Sequence, residues 1–313
     1  MSVLNTYFKY VLLLLIIVGC NTTKKTIVAS QKMQQMVIDI SKTAKQQNTN
    51  FSIIPQNGLE LLYQNIDMEN GLDTSYVNAI NGVGVEALHY NKNEDTDGYR
   101  RLLLSKLPKN KKVLSSEFIN NDKDLAKAKE LNTSKGYIPF VRTKNNLYYR
   151  EIPSTNNTGK EIKELQDVQN YLYLINPDAY TTKQAYLQAL STTNYDLLLI
   201  DLFYENTPLT KSEVAYLKIK KDGTQRKVIA YMNIGAVENF RYYWKESWTK
   251  KQPSWFKKQY AGYEDEYWVE FWNKEWQQII YKSKKSYLSK IIDRNFDGVY
   301  LDNVEAYYTL YHN

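Results

Sequence analysis

Apolar positions along the chain fall into short runs separated by stretches with a different period. The runs are FSIIPQNG (51–58), VNAINGVGVEAL (77–88), KVLSSEF (112–118), GYIPFV (136–141), NYLYLIN (170–176), DLLLIDLF (196–203), VIAYMNIG (228–235) and FDGVYLDN (296–303). Each is rich in β-branched and aromatic residues and ends near a polar or acidic one, so each predicts a strand. Helical spacing over 121–132, 181–192, 210–219 and 274–294 predicts helices between many of them. Met33, Met36, Val37 and Ile40 predict a further helix ahead of the first strand. The strands are nearly continuous apolar runs, as in parallel sheets buried on both faces. Eight of them interleaved with helices predict an α/β fold, a closed (β/α)8 TIM-like barrel in one domain. No GxGxxG follows any strand, which argues against a dinucleotide fold. The segment 142–169, with STNNTG inside it, predicts a surface loop or small insertion.

The first twenty residues have a pattern of their own. MSVLNTYFKYVLLLLIIVGC has a polar start with Lys9, an apolar run from Val11 to Val18, and then Gly19-Cys20. The run is short for a bilayer span and reads as the apolar region of a signal peptide. IVGC resembles a bacterial lipobox, in which Cys20 becomes the lipid-bearing first residue of the mature chain. The expectation is a signal peptide over 1–19, a tether over 20–30 and a barrel domain over 31–313. The chain would be extracytoplasmic and anchored to the cell envelope through the lipid on Cys20. Cys20 is the one cysteine, so no internal disulfide can form.

Composition narrows the function classes. The 313 residues are 43% hydrophobic, enough for a sizeable core. There are 28 tyrosines, whose flat rings with a hydroxyl suit stacking and hydrogen bonding on sugars. The formal charge of +7 is spread along the chain, with no zinc-finger, basic-zipper or RNP pattern, so nucleic acid is not an expected partner. With two histidines a His-rich zinc site is excluded, and neither metal nor cofactor is expected. No GxSxG marks a nucleophilic serine.

In a (β/α)8 barrel the site lies at the C-terminal ends of the strands. Those ends carry Asn57, Glu86, Glu117, Asn176, Asp201, Glu238 and Asp302. A ring of carboxylates suits glycosidic chemistry, where one protonates the leaving oxygen and another acts as nucleophile or base. Asp302 and Glu238 are the candidate catalytic pair, and Asp201 would orient substrate or tune a neighbour. Arg241 lies three residues after Glu238 and would keep a nearby carboxylate ionised. Glu86, Glu117, Asn57, Tyr231, Arg241, Trp244 and Asn303 are the candidate substrate-binding residues. All six tryptophans fall between Trp244 and Trp276, which predicts an aromatic wall over the mouth. Asp297, before Gly298, reads as a structural turn residue.

LLLIDLF, VIAYMNIGAVENFRYYW, VEFWNKEWQQII and FDGVYLDNVEAYY together resemble the endo-α-1,4-polygalactosaminidase-like glycosidases, glycoside hydrolase family 114 and its bacterial and archaeal relatives. SIIPQNGLELL and AINGVGVEAL match further pieces, so the resemblance covers most of 31–308. It implies a TIM-like barrel, a carboxylate site, and hydrolysis of internal linkages in α-1,4-linked galactosamine polysaccharide. There are two departures. The strand leading into PQNG follows GVYLD in that group but comes first here, which implies a circularly permuted barrel. The related motif reads like IGEAEDYRYYW, whereas Ala236 and Asn239 stand here in place of two acids. Fungal members also carry a Glu where this chain has Tyr300. Glu238, Arg241 and Asp302 keep the pattern. The alternative is a non-catalytic glycan-binding lipoprotein on the same barrel; a third reading is an envelope structural protein.

Overall fold

A computed structural model describes residues 3–95 and 98–312, with side chains from Lys24 onward. Each of the eight predicted runs contains a strand: β1 (Ser52–Pro55), β2 (Gly82–Glu94), β3 (Lys112–Ile119), β4 (Ile138–Arg142), β5 (Tyr171–Leu174), β6 (Leu197–Ile200), β7 (Lys227–Asn233) and β8 (Gly298–Asp302). They form two parallel sheets. One has five strands in the order β1-β8-β7-β6-β5, and the other has three in the order β2-β3-β4. A single parallel bridge from Gln56 to Gly84 joins the edge of the first sheet to β2. The first strand therefore lies beside the last, with Ser52 opposite Gly298 and Pro55 opposite Leu301.

The expected closed barrel is corrected at one seam. Among the described residues no backbone ladder joins β4 to β5. Side chains fill that seam instead. Phe140 on β4 packs against Tyr171 and Tyr173 on β5, with ring centroids 5.7 and 6.3 Å apart. Tyr171 reaches past β4 to donate its hydroxyl to the Ser115 carbonyl on β3 at 2.9 Å. Pro139 deprives β4 of one ladder donor, which suits an edge strand.

Helices occupy the predicted intervals, at Leu125–Thr133, Lys183–Ser191 and Lys211–Leu217. Two of them start where the sequence supplies a cap. Thr182 accepts from the Ala185 amide, and Thr210 with Glu213 forms a reciprocal capping box. The 274–294 interval breaks into Lys274–Gln277, a π-turn over Gln278–Lys282, and Tyr287–Asp293. Ser286 caps the last of these by accepting from the Ser289 amide. Asp297 is structural as read: it accepts from the Val228 amide at 2.9 Å and pairs with Lys218 at 2.9 Å.

Helix α1 (Val3–Lys45) precedes the first strand and buries Met33, Met36, Val37 and Ile40, the face the spacing predicted. Within the expected tether, residues 24–30 continue this helix. Ala29 is buried, and Thr26 donates its hydroxyl to the Tyr311 carbonyl at 2.6 Å, so the segment packs on the C-terminal helix Ala306–Tyr311. The lipidation proposed for Cys20 concerns a side chain outside the described residues. Among the described residues no helix is long and apolar enough to cross a membrane.

The interior between the two sheets is set by tyrosines. Tyr300 on β8 is fully buried, edge-on to Tyr173 at 5.5 Å, and its hydroxyl has no hydrogen-bond partner. It lies against Gly84 of β2: a Cβ on Gly84 would meet the Tyr300 oxygen at 2.0 Å. Glycine at 84 is thus the condition for a tyrosine at 300. Gly84→Ala should cost about 1–3 kcal/mol of stability through overpacking. Tyr300→Phe, which removes an unpaired hydroxyl, should be neutral or stabilising by about 1–3 kcal/mol. Urea unfolding of both variants tests the pair, and a Gly84→Ala chain as stable as the parent would refute this packing.

Candidate active site

The site is assembled where β7 ends. Asn233, fully buried, accepts from the amides of Gly235 and Ala236 at 3.2 and 2.9 Å and so turns the chain back. Gly235 is required at this turn, because a Cβ there would meet the Asn303 carbonyl oxygen at 1.9 Å. The turned chain forms a short strand, Ala236–Glu238, antiparallel to Glu266–Val269, which in turn pairs with Phe256–Gln259. Glu238, expected at the end of a barrel strand, belongs to this short hairpin strand and lies directly opposite Glu266.

Glu238 is 2% exposed and held on both oxygens by Arg241, with Nε donating to Oε2 at 2.9 Å and Nη2 to Oε1 at 3.2 Å. The same guanidinium donates through Nη1 to Asp201 at 2.7 Å, at the end of β6. Asp201 also accepts from the Phe203 amide at 2.8 Å. Burial works against the charge on Arg241, but Asp201 and Glu238 outweigh it and hold the guanidinium protonated. Burial pushes the Glu238 carboxyl up, with Arg241 opposing it. Arg241 therefore ties the β6 end to the hairpin through two carboxylates. Of the predicted catalytic set, Glu238 and Asp201 are spent on this arginine.

Asp302 is placed differently. It closes β8, is only partly buried, and accepts from the Tyr231 hydroxyl at 2.5 Å and from the Asn303 amide at 2.7 Å. Burial raises its pKa to about 6, against the Tyr231 hydrogen bond and with the help of Glu86 and Glu238. Asn303, in the left-handed region at φ 60°, accepts from the Tyr260 hydroxyl at 3.2 Å. Glu266 was missed by the sequence reading. Burial, then Glu238 and Asp302, push its carboxyl up to about 8. It escaped notice because only the ends of the eight main strands were taken as site positions, whereas Glu266 lies on the hairpin. The signal was present in EDEYWVEFW, where acidic and aromatic residues are interleaved.

Glu86, from β2, reaches the same region. It accepts from the Tyr149 hydroxyl and faces Arg142 at 3.7 Å. Asn57 serves the backbone, accepting from the Glu86 amide at 3.0 Å and so positioning that residue. Glu117 lies fully buried, accepting from the His89 and Tyr90 amides at 3.0 and 2.8 Å and from Asn132 at 2.9 Å. A carboxylate so satisfied pins the irregular stretch of β2 rather than facing substrate. Trp244, partly buried, packs edge-on to Trp248 at 5.5 Å and against Phe256 of the hairpin at 5.9 Å. The tryptophan cluster continues through Trp255 to Trp276, mostly buried, so it supports the hairpin more than it lines a groove. Among the described residues no group of three or more His, Cys, Asp or Glu could hold a metal ion.

The comparisons with known proteins bear on this half of the molecule. Residues 165–313 match the model of glycoside-hydrolase family GH114. Over these residues the chain is similar to that family. The match takes in β5 to β8 and the hairpin, and stops short of SIIPQNGLELL and AINGVGVEAL. An uncharacterized protein of Methanocaldococcus jannaschii is 34% identical over 167 residues, 53% of this chain and 43% of that one. Uncharacterized proteins of Thermotoga maritima and Deinococcus radiodurans are 32% identical over 118 residues and 31% over 125. These cover 38% and 40% of this chain, and 35% and 38% of theirs. The aligned region thus spans about two fifths of each relative's length.

Two predictions concern the electrostatics. Removing Arg241 leaves two buried carboxylates unpaired, so Arg241→Met should cost about 3–5 kcal/mol, read by chemical denaturation. An unchanged stability would mean that the guanidinium does not tie β6 to the hairpin. Glu266 has a folded pKa raised to about 8, so its stabilising contribution is complete below the unfolded carboxyl value and is lost as pH rises through about 8. The melting temperature should therefore fall between about pH 5 and pH 9 more steeply in the parent than in Glu266→Gln. Parallel curves would show that Glu266 is not desolvated as placed.

Proposed function

We propose that this protein is a glycoside hydrolase of a mouth formed by β8, β2 and the hairpin, acting on internal α-1,4 linkages in galactosamine-containing polysaccharide. We read the two sheets as a (β/α)8-type ring whose one unladdered seam is sealed by aromatics. The observation that carries the reading is the placement of two carboxyls, Asp302 partly open at the end of β8 with the Tyr231 hydroxyl on it, and Glu266 on the hairpin opposite Glu238; burial raises the first to about 6 and the second to about 8. At neutral pH the first is mostly ionised and the second mostly protonated, the division of labour glycoside hydrolysis needs. Asp302 acts as nucleophile or base, with Tyr231 orienting it, and Glu266 gives its proton to the leaving oxygen. Glu238, Arg241 and Asp201 hold the hairpin so that Glu266 faces Asp302. Glu238, expected as one of the catalytic pair, has both oxygens engaged by Arg241, so this proposal gives its place in the pair to Glu266. Glu86 adds negative charge that favours a cationic amino sugar.

The family match supports glycoside hydrolysis; the polymer and the linkage are this proposal's own. The lipid anchor at Cys20 and an extracytoplasmic position belong to the same proposal and rest on IVGC alone. A binding-only reading draws on Ala236, which is buried opposite Trp268 where the related motif has an acid.

The test is incubation of the protein with partly N-acetylated galactosamine oligomers, products read by mass spectrometry. Asp302→Asn and Glu266→Gln should each lower kcat about 10²–10⁴-fold. Glu238→Gln should act mainly through stability. Activity should follow a bell with its acid limb near about 6 and its basic limb near about 8. Oligomers bound but never shortened would replace hydrolysis by glycan binding. A Glu266→Gln enzyme at full rate would return the proton donor to another group.

A further inference from the structure

A sizeable cavity lies away from the carboxylate mouth. Its volume is about 730 Å³, within the roughly 300–1,000 Å³ usual for small-ligand sites. It forms where the helix Tyr99–Leu104 and the turn after it face the start of β3 and the turn into β4. Its wall carries Arg101, Lys109, Lys111 and Lys135 and not one Asp or Glu. Two of these heads are held in place. Arg101 donates to the Leu88 carbonyl at 2.8 Å and stands 3.6 Å from Asp95, while Lys111 donates to the Ile80 carbonyl at 2.7 Å. Lys109 and Lys135 are exposed at the rim.

A second observation is independent of the charge. His89 lines the same cavity, is 7% exposed, and its Nε2 has no hydrogen-bond partner. Its backbone amide is tied to Glu117 at 3.0 Å, which fixes where the ring sits. An unpaired polar atom buried against a cationic wall is costly unless a ligand completes it. Of the four cations only Arg101 has a carboxylate beside it, Asp95, so the wall is left with net positive charge that an anion relieves as well. Burial and Arg101 lower the pKa of the imidazole, so near neutral pH it can offer an N–H without adding a fifth charge.

We propose that this cavity is a binding site for a phosphate-bearing ligand, with Arg101 and Lys111 as fixed donors, Lys109 and Lys135 closing over it, and His89 at its inner wall. Guanidinium and ammonium donors together match the several oxygens of a phosphate better than those of a carboxylate. The site shares no residue with the Asp302 mouth, so it stands whether or not that mouth hydrolyses a glycan.

The chain has two histidines, so a full-length His312→Gln protein leaves His89 as the sole imidazole. Inorganic phosphate, titrated at constant ionic strength, should shift the His89 ring resonances saturably. The double variant Lys109→Ala/Lys135→Ala should weaken the response about tenfold or more, through loss of two charge-assisted contacts. Absence of a His89 shift, an equal shift from chloride, or an unchanged affinity in the double variant would each overturn the proposal. The source of the phosphate is then read by competition. Displacement by glycerol 3-phosphate alone assigns a free phosphate ester. Capture on phosphatidylglycerol vesicles that needs the two lysines and is reversed by phosphate assigns a lipid headgroup. Competition from neither overturns the site.

Discussion

One buried arginine governs the geometry of the mouth. A guanidinium as deeply buried as Arg241 must be paired, and its partners come from two places far apart in sequence, Asp201 and Glu238. That requirement fixes the hairpin relative to the end of β6. It also fixes the orientation of Glu266, because the pairing of Glu238 with Glu266 sets the hairpin register. The high proton affinity of Glu266 comes first from its burial there and then from the Glu238 and Asp302 carboxylates. Charge pairing deep in the fold thus sets where Glu266 is buried and which carboxylates surround it.

The strands were legible because burial on both faces leaves a continuous apolar run in the sequence. LLLI at 197–200 and VIAYM at 228–232 are such runs, and both are strands of the central sheet. The seam between β4 and β5 was not legible, since pairing between strands leaves no mark in either strand's own pattern. The aromatic substitution for a ladder, Phe140 on Tyr171 and Tyr173, depends on which strands become neighbours. The N-terminal helix was half legible. Its apolar face showed at 33–40, but the polar-looking NTTKKTIVAS at 21–30 concealed Ala29 and Thr26, which pack on the chain's other end.

Among the site residues, the types could be read and the allegiances could not. Asp302 stood out as an acid after an apolar strand, and it is the partly open carboxylate of the mouth. Glu117 has the same sequence signature after KVLSS, yet two amides of β2 and Asn132 claim it. The difference arises from an irregularity in β2, where the register with β3 shifts between Glu86 and Asn91. That shift turns the amides of His89 and Tyr90 toward Glu117. It leaves Glu86, on the regular part of the strand, able to reach Tyr149 and Arg142.

The molecule divides its labour along the same line as its family match. Arg241, Asp201, Glu238, Glu266, Tyr231 and Asp302 all lie within residues 165–313. Glu86, Asn57, Arg142 and Tyr149 lie outside it, as does the cationic cavity around His89. The acids whose proton affinities are separated come from the matched half, and the groups that enclose them on the far side come from the other. Because β1 pairs with β8, the two halves are joined beside Asp302 itself. Changes in the N-terminal half can therefore reshape what reaches Asp302 without disturbing the arginine on which the acids depend.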